Sequence, residues 1–148
     1  MNPRTICSLA IVLLLCGSRT IDAQTFTVSS TAGGTLNITT AVAGQDPTSV
    51  GASSTTYTVI TLVLLGTKRI TARLNQNMPA GTTLRLTLAA PPGATSTPQD
   101  LNTIDQNVVT GIPAGTTQVG LAITYTFSAT PGAGVVPATS RTITLQLL

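Results

Sequence analysis

"TQVGLAITYTFSA" (Thr117–Ala129) alternates for its whole length. Val119, Leu121, Ile123, Tyr125 and Phe127 fall on one side. Gln118, Gly120, Ala122, Thr124, Thr126 and Ser128 fall on the other. A period of two is the geometry of an extended strand, whose successive side chains leave on opposite faces. One face is therefore apolar and core-directed, and the other is built of hydroxyls and small residues. The same pattern recurs on both sides of this stretch. Leu84, Leu86 and Leu88 oppose Thr83, Arg85 and Thr87. Ile70, Ala72 and Leu74 oppose Arg69, Thr71 and Arg73. Ile143, Leu145 and Leu147 oppose Thr142, Thr144 and Gln146. Thr, Val and Ile abound, while strong helix formers other than Leu and Ala are scarce.

"YTVITLVLL" (57–65) is apolar on both faces, which predicts a central strand covered on both sides or one with a bulge. Gly66-Thr67 then fits a two-residue hairpin turn. "TFTVSS" (25–30) and "TLNITTAV" (35–42) are weaker strands split by Gly33-Gly34, and residues 24–42 form an N-terminal arm. Loops are expected at 43–55, 89–100 and 130–140, where Gly, Pro, Ser and Asp cluster. "PAGTT" occurs twice, at Pro79–Thr83 and Pro113–Thr117, with dissimilar flanks. It is read as one turn solution used twice. Met78 or Ile112 leads, Pro takes the second turn position, Gly81 or Gly115 adopts positive φ, and Thr-Thr opens the next strand. About seven to eight short strands with Gly/Pro turns and no helices predict a single all-β antiparallel sandwich.

From Gly66 to Leu148 the chain resembles bacterial secreted immunoglobulin-like domains, in which a strand, a G-[IL]-P-A-G-T turn and a long alternating strand recur. "TGIPAGTTQVGLAITYTFSA" (110–129) carries the resemblance. It implies an immunoglobulin-like β-sandwich in an extracellular setting, and it assigns no functional residue. The Cys…Trp…Cys core of antibody domains is missing from the sequence, which has no Trp.

The 148 residues leave room for one domain. Residues 1–23 have the order of a secretory signal peptide: Arg4 in a short start, an apolar run from Ile6 to Cys16, and a small residue, Ala23, before Gln24. The run is too short for the ~20 residues of a spanning helix. Cleavage after Ala23 removes both cysteines, Cys7 and Cys16, and leaves the domain at 24–148 without disulfides. No transmembrane helix then remains.

The same composition narrows the chemistry. After Ala23 there is no His, Cys, Glu or Trp; the acids are Asp46, Asp100 and Asp105, and the bases Lys68, Arg69, Arg73, Arg85 and Arg141. Proton transfer and nucleophilic attack lack their usual groups, so no enzyme and no cofactor is expected. Such sparse charge makes no field for nucleic acid, although the whole-chain pI is about 9.4. "DLNTIDQN" (100–107) offers Asp100, Asn102 and Asp105 as oxygen ligands for calcium, without EF-hand spacing; a self-capped loop is the plainer reading. Arg69, Arg73 and Arg85 would share a solvent face if 67–75 and 82–89 formed a hairpin, and could hold an acidic sugar or a lipid phosphate. Asn37 heads an N-I-T glycosylation acceptor.

These features together predict a secreted, non-enzymatic structural or surface/adhesion protein, a fibre or matrix subunit, extracellular or periplasmic. Its partners would be copies of itself or cell-envelope components. The rival reading is an extracellular binding module for an acidic glycan or lipid phosphate. A third, a small outer-membrane barrel, fits the alternation but lacks aromatic girdles, since Phe26, Tyr57, Tyr125 and Phe127 are the only aromatics.

Overall fold

The structure, a computed structural model, describes residues 24–29, 35–39, 42, 44–134 and 136–148. The expected signal peptide and the Gly33-Gly34 break lie outside the described residues. Among the described residues, nine strands make two antiparallel sheets. One sheet runs in the order β1 (Thr25–Val28), β2 (Val50–Ile60), β8 (Thr117–Ala129), β4 (Thr82–Leu88), β6 (Gln99–Asp100). The other runs β5 (Thr95–Ser96), β7 (Gln106–Ile112), β3 (Lys68–Leu74), β9 (Ile143–Leu147). The one helical piece among the described residues is a 3-10 turn at Pro131–Ala133.

A single apolar cluster joins the sheets. Tyr57, Val59, Leu84, Leu86, Leu88, Ile123 and Tyr125 come from the five-stranded sheet. Ile70, Ala72, Leu74, Val108, Val109 and Ile112 come from the four-stranded one. The faces expected from alternation in β3 and β4 are the faces found, because burying each leucine contributes about 1.5–3 kcal/mol and only one face can meet the opposite sheet. Ile143, Leu145 and Leu147 are only half-buried, since β9 is an edge strand.

Connectivity is where the structure departs from expectation. From β2 onward every successive strand lies in the other sheet. Gly66-Thr67 therefore turns no hairpin; residues 61–67 carry the chain over the end of the sandwich. Likewise 67–75 and 82–89 form no hairpin, since β3 and β4 belong to different sheets. In an immunoglobulin domain ABED and CFG are the sheets, so D–E and F–G are consecutive neighbours; no such pair occurs here after β2.

Strand limits moved as well. β2 begins at Val50, inside the expected loop, and ends at Ile60, so Thr61 and the apolar residues 62–65 are not strand. Residues 35–39 form no strand, and the expected loop at 89–100 contributes the two short edge strands β5 and β6. β7 had no alternation to reveal it. Between Lys68↔Ile112 and Thr71↔Asn107 its register shifts twice, which puts Val108 and Val109 both in the core and gives Gly111 a φ of 71°.

A bulge also explains Val119. Tyr57 pairs with Leu121 but Val59 pairs with Gln118, so Val119 and Gly120 together face one residue of β2. Gly120 takes φ 72°, the phase of β8 flips, and Val119 is 74 % exposed. Val119→Lys should therefore change stability by no more than about 0.5 kcal/mol. Ile123→Lys, at a fully buried neighbour on the same strand, should unfold the protein. Urea midpoints of the two variants check this, and a large loss for Val119→Lys would contradict the bulge.

Both "PAGTT" copies are arches between sheets, leading from β3 into β4 and from β7 into β8. Gly81 and Gly115 share φ 74°, as expected. The turn is framed one residue later than expected: Thr82 N–H donates to Pro79 O at 3.0 Å, so Pro79 is the first turn residue and not the second. Thr82 Oγ1 and Thr116 Oγ1 donate to Pro79 O and Pro113 O, each at 2.7 Å. The second copy closes differently. Thr116 N–H donates to Thr61 Oγ1 at 2.9 Å, and that hydroxyl donates to Pro113 O at 2.9 Å.

Candidate functional site

The three arginines are not one site. Arg69 and Arg73 leave the outer face of β3, in the four-stranded sheet, with Thr71 between them. Arg85 leaves the outer face of β4, in the other sheet, and forms a two-pronged pair with Asp100 on β6: Nε to Oδ1 at 2.7 Å and Nη2 to Oδ2 at 3.0 Å. The register Arg85↔Asp100 sets the two side by side. The hydrogen bond from Arg85 holds the Asp100 carboxyl below the usual carboxylate range. Arg73 Nε lies 3.7 Å from Asp105 Oδ1, an exposed and looser pair.

The calcium candidates part in the same way. Asp100 faces Arg85, Asp105 faces Arg73, and Asn102 Oδ1 accepts the N–H of Ile104 at 2.7 Å. The loop thus caps its own backbone. Among the described residues no three His, Cys, Asp or Glu side chains gather as a metal site would require.

Two concave regions among the described residues bear on binding. The larger is a cavity of about 1170 Å³ with Leu36, Met78, Leu84, Phe127 and Val136 on its walls, and the exposed Asn37 at its side. Arg141 also lines it, but its guanidinium is engaged with the carbonyls of Asn77 (3.1 Å) and Ser140 (2.9 Å). The second is a shallow groove where β3 begins and β7 ends, lined by Lys68, Arg69, Asn107, Thr110 and Leu148 among others, with no acidic side chain. Arg69 and Leu148 exchange both backbone hydrogen bonds at 2.9 Å, which fixes the start of β3 there.

Beside this groove lies the loop from β2 to β3. Val63 is 79 % and Leu64 96 % exposed. Sequence reading placed both in a strand, because an unbroken apolar run looks like a covered strand. The one local signal is Gly66-Thr67-Lys68-Arg69, which follows the run at once and marks a turn.

No family model, characterised protein or solved structure matches this chain. No helix among the described residues is long and apolar enough to cross a membrane.

Proposed function

We propose that the chain is a secreted, non-enzymatic structural or surface subunit with a β-sandwich fold, and that it assembles with copies of itself by strand addition. The observation that carries this reading is the asymmetry of the sheet edges. Each sheet has one edge blunted to a two-residue strand, β6 or β5. Each has one open edge, β1 or β9, with no charged residue and no Pro in it. Edges that remain monomeric usually carry such devices. On β9 the bonded pair Arg69–Leu148 sets the alternation, so the N–H groups of Ile143, Leu145 and Leu147 face away from β3. Carbonyls of an incoming antiparallel strand can accept from them, and its N–H groups can donate to the outward carbonyls of the same residues. The signal-like segment at 1–23 supports export. β1, in the N-terminal arm, pairs with β2 of its own chain, so Thr25–Val28 contributes an edge rather than a free strand.

The test is mass against concentration by light scattering. Wild type should form oligomers, and Gln146→Lys, an exposed edge position, should shift it toward monomer. A wild-type monomer at every concentration would rule out assembly.

A further inference from the structure

We infer that the β2–β3 loop is a lipid-docking tip: Val63 and Leu64 enter the apolar layer of an anionic phospholipid surface, while Lys68 and Arg69 lie over the headgroup phosphates. Singly scattered exposed apolar residues are ordinary. Here two adjacent ones crown a turn closed by Leu65 N–H to Leu62 O at 3.3 Å, with Leu62 and Leu65 half-buried beneath. They are therefore presented together, pointing off the end of the sandwich. The core does not need Leu64, which is 96 % exposed.

Charge selects the partner. Lys68 and Arg69 open β3 directly behind the tip, and their groove has no acidic side chain. Asp100 and Asp105 lie against Arg85 and Arg73 instead. An apolar apex backed by uncompensated cations matches an interface with hydrocarbon below and phosphate above. The groove and tip offer no aromatic ring on which a sugar could stack. This inference is independent of assembly through β9 and is read by a different measurement.

The probe is unilamellar vesicles of phosphatidylglycerol and phosphatidylcholine, compared with phosphatidylcholine alone, in co-sedimentation. Every variant carries the same N-terminus as the wild type it is compared with. Wild type should bind the anionic vesicles and release them with salt. Leu64→Ser should weaken binding roughly 10- to 100-fold, the worth of one buried leucine. Lys68→Ala with Arg69→Ala should remove the preference for the anionic vesicles. Both variants should keep the wild-type melting temperature. The chain has no Trp, so Leu64→Trp gives a clean depth signal and its emission should shift to the blue on anionic vesicles. Equal binding by wild type and Leu64→Ser overturns the inference, as does unshifted Leu64→Trp emission or no binding to anionic vesicles.

Discussion

Gly81→Val is expected to destabilise the fold by about 2–5 kcal/mol, the larger loss of the two "PAGTT" glycines. Gly81 holds φ 74°, where an L side chain costs about 1–2 kcal/mol. A Cβ there would lie 2.9 Å from both Cα and Cβ of Ala133. Ala133 belongs to the 3-10 turn that Thr130 anchors to the same arch, its N–H donating to Gly81 O at 2.8 Å. The new side chain would thus press on the backbone of Ala133 and on Thr130 Oγ1 at 3.0 Å, and relieving such overpacking costs about 1–3 kcal/mol more. Gly115 has the same φ, but its Cβ would meet Val63 Cγ2 at 3.1 Å, the end of an exposed side chain that can turn aside. Gly115→Val should therefore cost only about 1–2 kcal/mol, the conformational part. Urea unfolding of both variants measures the difference. Equal losses would show that contact with Ala133 does not matter, and no loss in either would remove the turn geometry itself.

Tyr57→Ala is expected to cost about 3–5 kcal/mol, and Tyr57→Phe about 1–2 kcal/mol. Tyr57 is 1 % exposed on β2. Its hydroxyl passes across β8 and donates to Ala89 O, where the chain leaves β4, and its ring meets Phe26 of β1 at 5.8 Å. One side chain thus ties four strands of the larger sheet. Removing the ring leaves a cavity, while removing only the hydroxyl takes the side-chain donor from the part-buried Ala89 carbonyl. Burial pushes the hydroxyl up to about 12. In the unfolded chain it ionises near 10. The folded state therefore holds the proton more tightly. Its contribution is fully present below pH ~10 and is lost as pH rises through about 12, an amount of about 2–3 kcal/mol. Stability curves from pH 9 to 12 should fall steeply for wild type and less so for Tyr57→Phe. Parallel curves would place the alkaline transition elsewhere.

The sequence predicted the local geometry of β3, β4 and most of β8 because alternation is a property of the chain itself. Leu84, Leu86 and Leu88, or Ile70, Ala72 and Leu74, face the core whatever strand lies beside them. Positive φ at Gly81 and Gly115 was legible for the same reason: the residue that tolerates it is written in place. Val119 falls on the wrong face, and the strand Gln106–Ile112 carries no alternation to reveal it, because a bulge changes the phase without changing composition. The arginine face failed on connectivity. Alternation is identical in a hairpin and in an arch between sheets, so nothing in 67–89 tells whether Arg85 will stand beside Arg73 or opposite Asp100. The apolar run 57–65 hid the exposed tip, since exposure is decided by where β2 loses its neighbours at Ile60 and not by the residues beyond it. By itself the sequence determined an all-β chain, the inward faces of its regular strands and its two glycine turns, all set by period-two backbone geometry and local φ. Only the tertiary structure decided which sheet each strand joins, where bulges reverse a face, and which charges meet, because those depend on hydrogen bonds between strands far apart in the chain.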